Sequence, residues 1–256
     1  MKKVLRVKNE AESAEIYISG DIVDDVDSGW IKFWNEDATG YQFPKEIKEQ
    51  LDVVKGKPLT IYINSYGGSI PAGCAMANMI ARHDAPTTAI VDGYCCSIAT
   101  QIFFSADTCK MPTNAYLMVH KPFTYVNYAN ADEMRAEADR LDVLQKGLET
   151  TYQKKAQDGI TNEQISEWVN AEKWFTGNEA AKNFKITLLD PVQTLNCAGS
   201  LNKLKSFNFK KIPDILRFKD DGNKNPPSFL VEQQNKQERE KRQIELSMAR
   251  ARGAVI

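Results

Sequence analysis

Ser97, His120 and the pair Gly67-Gly68 are the residues whose types and spacing could do chemistry together. They lie in three fragments: Asn64-Ser65-Tyr66-Gly67-Gly68-Ser69, Gly93-Tyr94-Cys95-Cys96-Ser97 and Leu117-Met118-Val119-His120-Lys121-Pro122. Each fragment closes an apolar, β-branched run, where a strand should stop and a loop or helix begin. A hydroxyl, an imidazole and glycine amides at successive strand ends are the components of an acyl-transfer site. The serine would be the nucleophile, the histidine its base, and the amides would hold the oxyanion. Hydrolysis through a serine is the leading expectation.

Each residue has a plainer use when taken alone. Ser97 lies outside a G-x-S-x-G elbow and, at the first turn of a helix, reads as a cap. His83, one of two histidines, sits in Arg82-His83-Asp84-Ala85-Pro86 and reads as a helix C-terminal cap. His120 ends a buried strand and could be a satisfied core histidine. Cys96 is a rival nucleophile on paper, but a small thiol in that position reads as core. Recurrence of the three parts at one kind of position raises the catalytic reading above these.

The elements that must position them alternate between strand and helix. Glu15 to Ile22 alternates like a strand. Gln42 to Val54 spaces Phe43, Ile47, Leu51 and Val54 as an amphipathic helix, with Pro44 near its start and Gly56 closing it. Leu59 to Asn64 is a second strand, with Gly67-Gly68 opening a turn beyond it. A helix rich in small residues follows from about Pro71 to Arg82. Thr87 to Val91 is a third strand, then come a turn at Gly93 and a helix from Ser97 to about Phe104. Cys109–Met111 and Ala115–Val119 read as strands. A long helix from about Asn130 to Ala156 carries Met134, Leu141, Leu144 and Leu148 on one face. Thr161-Asn162-Glu163-Gln164 is a capping box, Thr176 caps a further helix through Lys182, and Ile186 to Asp190 ends the body. Strands alternating with helices predict an α/β fold.

At 256 residues and 42% hydrophobic, the chain can build one large core with an appendage. From Pro191 onward thirteen Lys/Arg stand against seven Asp/Glu, a local +6, which leaves −7 for residues 1–190 of the total −1. Residues 1–190 form the predicted catalytic domain. Residues 191–256, broken by Pro213, Pro226 and Pro227, form a predicted basic extension with a charged helix from about Leu230 to Arg250. Such a tail suits acidic surfaces or nucleic acid, but a solvated helix is the commoner reading, so a nucleic-acid partner is not the expectation. Five cysteines without a CxxC pair argue for neither a zinc site nor a disulfide framework, and no metal or cofactor is expected. The N-terminus lacks a signal-peptide pattern, and no run approaches the roughly 20 apolar residues of a membrane span. A reducing, cytoplasmic setting is the expectation.

The three fragments together resemble the Clp-type serine peptidases, whose signatures look like I-N-S-P-G-G, G-x-A-A-S-M and M-I-H-Q-P. Here they read Ile63-Asn64-Ser65-Tyr66-Gly67-Gly68, Gly93-Tyr94-Cys95-Cys96-Ser97-Ile98 and Met118-Val119-His120-Lys121-Pro122. Ser97 follows Gly68 by 29 residues and His120 follows Ser97 by 23. The likeness runs from about Ile16 to Asp190. It implies a Clp/crotonase-type spiral of β-β-α units with a long projecting handle helix. It also implies Ser97 as nucleophile, His120 as base, backbone amides of Gly68 and Ile98 as oxyanion donors, and Gly67, Ser69 and Ile70 along the substrate. Ala171-Glu172-Lys173-Trp174-Phe175-Thr176 places Glu172 where the family usually has the aspartate of the triad. Substrates would be proteins or peptides, and the subunits would form a hexameric or heptameric ring, possibly stacked in pairs.

Three departures bear on that likeness: Cys95-Cys96 replace alanines, Tyr66 replaces a proline, and only about fifteen residues precede the first predicted strand. The last leaves little room for an axial hairpin, so dependence on an unfolding ATPase is not supported. The insertion at 23–58 with Trp30, Trp34 and Tyr41, the glutamate and the basic extension look more like phage-type, Clp-related head maturation proteases. Capsid or scaffold proteins would then be partners. Rival readings are an ATPase-partnered degradative peptidase, a crotonase-like acyl-CoA enzyme, a catalytically idle assembly ring and, least favoured, a membrane-linked serine–lysine peptidase.

Overall fold

The computed structural model describes residues 8–9, 12–34 and 40–191. The basic extension from residue 192 lies outside the described residues. Strand β1 (Lys8–Asn9) folds back antiparallel on β2 (Ala14–Ile22), so pairing begins earlier than the sequence led us to expect. A short helix α1 (Ser28–Trp34) and strand β3 (Tyr41–Gln42) follow, and β3 adds parallel to the end of β2. Neither was predicted individually. Helix α2 (Pro44–Val53) starts with Pro44 in its first turn and buries Ile47 and Leu51, as its spacing requires.

Strands β4 (Leu59–Gly68) and β5 (Thr87–Cys96) form the parallel centre of the sheet beside β2, each followed by a helix: α3 (Ile70–Ala81) and α4 (Ala99–Ser105). Both strands run further than predicted. Gly67-Gly68 do not open a turn but continue β4, at φ of 102° and 144°, where only glycine is unstrained. Gly93 likewise lies inside β5. Alternate residues Ile16, Ile18, Ile61, Ile63, Ala89 and Val91 bury on one face, against Met76 and Ile80 of α3 and Ile102 and Phe103 of α4. Tyr17 and Tyr62 stack on the other face, ring centroids 4.8 Å apart.

The sheet forks at β5. Its first half pairs parallel with β6 (Thr108–Pro112) through Thr88–Ile90, and its second half with β7 (Tyr116–Val119) through Tyr94–Cys96. Helix α5 (Ala131–Lys155), with a capping box at Asn130 and Glu133, then projects. Leu148 and Tyr152 anchor its C-terminal half, whereas Met134, predicted on the same apolar face, is 54% exposed. Helix α6 (Asn162–Asn170), capped by Thr161, leads to β8 (Lys173–Thr176), which returns antiparallel on β7. Helix α7 (Gly177–Asn183), capped by Thr176, and β9 (Thr187–Leu189), parallel to β6, complete the described body.

Candidate active site

The fork in the sheet assembles the site. Cys96 pairs with Met118, and Val119 pairs with Lys173. Ser97, one residue past β5, therefore meets His120, one residue past β7, with Glu172 one residue before β8. Three positions distant in sequence converge because each lies just beyond the same edge of the ladder. The Ser97 amide donates to the Met118 carbonyl at 2.9 Å, which fixes the turn. His120 Nε2 lies 2.7 Å from Ser97 Oγ. With Nε2 unprotonated, the hydroxyl donates to it.

Ser97 adopts φ 55°, the left-handed region, between a strand and a helix whose N-cap is Ile98. The prediction of Ser97 in the helix's first turn is thereby corrected. It occupies a sharp elbow before the helix, a strained conformation that costs about 1–3 kcal/mol and concentrates at functional sites. His83 differs from expectation too: the C-cap is Arg82, and His83 Nε2 lies 2.8 Å from the Lys57 carbonyl oxygen. Cys96 is fully buried with Tyr66, Tyr94 and Met118, and burial raises its thiol well above the ordinary range. A thiol so held is packing, as expected.

Each glycine of the pair permits a close approach, Gly67 to the serine and Gly68 to β2. A Cβ on Gly67 would stand 2.7 Å from Ser97 Cβ, and one on Gly68 would stand 2.0 Å from the Ile22 carbonyl oxygen. Ser65 Oγ fixes this stretch by donating to the Gly20 carbonyl at 2.6 Å and accepting from the Gly67 amide at 3.0 Å. Ser69 caps α3 by accepting from Ala72, and its hydroxyl donates to Asp24. Asp24 and Ser65 were not singled out in the sequence, because a solvated acid and a turn serine look the same there as anywhere.

Gly68, Ser69, Ile70, Ser97 and His120 line one cleft of about 360 Å³. Ile98 adjoins it in sequence but buries its side chain in the core, so only its backbone could serve. The lining also includes Pro122 and Phe123, whose ring lies 5.7 Å from the imidazole, and Arg140, Leu141 and Leu144 of α5. Leu141 and Leu144 were legible as an apolar helical face. Arg140 was not, since that helix is charged throughout. His120 is 9% exposed; its burial pushes the imidazole down to about 4, and the Glu172 carboxylate acts in the opposite direction. Among the described residues no cluster of three or more His, Cys, Asp or Glu could hold a metal. No helix among them is long and apolar enough to cross a membrane.

Fold and site together define a mixed α/β protein with a Ser–His pair at the elbow of a parallel sheet. Residues 42–192 match the family model of the Clp protease, and the chain belongs to that family. It is 29% identical over 126 residues to the ATP-dependent Clp protease proteolytic subunit 3 of Streptomyces coelicolor, covering 48% of this chain and 56% of that protein. The proteolytic subunit 1 of Chlamydia trachomatis serovar D is 26% identical over 166 residues, with 58% and 79% covered. The chain thus spans little more than half the length of the first of these. A point mutant of ClpP1 from Listeria monocytogenes shares the fold with a TM-score of 0.54 at 20% identity, covering 71% of this chain and 94% of that one.

Proposed function

We propose that the protein is a serine endopeptidase in which Ser97 attacks a peptide carbonyl, His120 takes the hydroxyl proton and Glu172 orients and balances the imidazolium. The observation that carries the reading is the 2.7 Å contact between Ser97 Oγ and His120 Nε2 at a cleft wall. As the Oγ–C bond forms, the proton passes to Nε2 and the carbonyl oxygen gains charge. Backbone N–H groups of Gly68 and Ile98 are the assigned donors for that oxygen. His120 then protonates the leaving amine, and water repeats the sequence to release the acyl group. Gly67 allows the approach to Ser97, and Ser69 and Ile70 line the substrate path. Burial keeps the imidazole neutral and ready to accept.

Ser97→Ala is expected to abolish peptide cleavage and fluorophosphonate labelling while leaving the fold and its assembly intact. Mass spectrometry of the labelled wild-type protein should place the adduct on Ser97. An adduct elsewhere, or labelling that survives the substitution, rules the assignment out.

Within this reading the substrates are capsid or scaffold proteins, processed during head maturation. Support comes from α1 and β3, which occupy the stretch between β2 and α2 read as an insertion, and from the basic composition beyond residue 190. A second reading, partnership with an unfolding ATPase, is favoured by the relatives' own description as ATP-dependent subunits. Incubation of the purified protein followed by intact-mass measurement separates them in part. Ser97-dependent trimming between 192 and 256 favours processing; an unaltered mass, with folded substrates degraded only when an unfoldase is added, favours the second.

A further inference from the structure

We infer that Arg140 makes the cleft a reader of acidic side chains, so that substrates carry Asp or Glu close to the scissile bond. The inference rests on the peptidase reading above. Arg140 lines the same cleft as Ser97 and His120, among otherwise apolar or small groups: Ile70, Phe123, Leu141 and Leu144. It is the one permanently charged side chain among the described lining residues. A cation on a wall with no other permanent charge favours a carboxylate over an ammonium, which it would repel.

Arg140 is held rather than loose. Its Nε donates to Glu137 Oε2 at 2.9 Å and its Nη2 to Glu137 Oε1, a forked contact across one turn of α5. That fork spends the Nε/Nη2 edge of the guanidinium and leaves the Nη1/Nη2 edge to donate to an incoming carboxylate. Arg140 is about half exposed and Glu137 a quarter. Glu137 is not a lining residue, so it orients the cation from outside the cleft and reduces its field. The preference is therefore modest, and it is sensitive to salt.

The test uses the full chain and three fluorogenic peptide series, identical except that Glu, Gln or Lys is placed in turn at each position flanking the scissile bond. At low ionic strength the Glu peptide should exceed its Gln counterpart in kcat/KM by about three- to tenfold at one position. Arg140→Gln should bring that ratio to near one, and R140E should turn it in favour of Lys. High salt should shrink the wild-type ratio and leave the Arg140→Gln ratio unmoved. Fluorophosphonate labelling of the same samples keeps the two ideas apart. Labelled, active protein with no Glu preference, or with one that persists in Arg140→Gln, overturns the inference and leaves the peptidase reading standing. Absence of both labelling and hydrolysis overturns both.

Discussion

At the residue scale, the buried imidazole makes a prediction with a definite sign. His120 sits at about 4 in the folded protein against an ordinary 6.5, with desolvation the larger cause and Glu172 opposing it. The base form therefore persists to low pH, and the acid limb of kcat/KM should fall near pH 4 rather than near 6.5. Stability runs the same way. Between those values the unfolded chain binds a proton that the folded one refuses, so stability is fully present above about pH 6.5 and is lost as pH falls toward 4, by about 3 kcal/mol. Glu172→Gln removes the group that raises the imidazole. It should move the acid limb lower still and cut kcat by roughly 10²- to 10⁴-fold through loss of orientation. An acid limb at 6.5 in the wild type would show His120 to be solvated and the buried geometry wrong.

At the element scale, the ends of β2 and β4 are tied together by one hydroxyl. The register between these strands slips between Ser19 and Asp21, and Ser65 Oγ bridges the slip to Gly20 and Gly67. Ser65→Ala leaves two backbone groups without that partner and should cost about 1–3 kcal/mol, or a fall in Tm of about 2–4 °C per kcal/mol. Because Gly67 abuts Ser97, the labelling rate at Ser97 should fall with it; a variant with unchanged melting and unchanged labelling would exclude this coupling. These contacts also mark where the sequence ran out. Strand interiors such as Leu59-Thr60-Ile61-Tyr62-Ile63, the capping box at Thr161 and the cap at Thr176 were legible because a local pattern dictates them. The continuation of β4 through Gly67-Gly68 was not, since glycine normally signals a turn and here serves a close approach between elements. Family likeness pointed to Ser97 and His120, and proposed Glu172 beside them, but the reason these positions converge, a forked strand with β8 antiparallel on one branch, is a matter of pairing that no single stretch encodes. Arg140 was invisible for the same reason: only the tertiary arrangement puts it in one cleft with residues 122–124.

At the scale of the whole molecule, helix α5 carries apolar groups that the described body does not cover. Met134 and Val143 are 54% and 68% exposed, and in the segment before the helix Tyr125 and Tyr128 are 86% and 84% exposed. Met134 and Val143 stand nine residues apart, which on an α-helix places them about 180° around the axis from each other. One neighbouring surface could bury one of them but not both. A helix left apolar on opposite sides suits insertion between surfaces of other copies, in keeping with the ring proposed from the family likeness. Sedimentation at micromolar concentration should therefore show a multi-subunit species. Met134→Glu and Val143→Glu should each shift it toward smaller ones, because a carboxylate buried at a contact is strongly unfavourable. The circular dichroism of both variants should match the wild type, since neither side chain belongs to the described core. A wild-type protein that sediments as a monomer, or a Val143→Glu variant that assembles unchanged, would mean that these faces are simply wet and that the helix projects for some other reason.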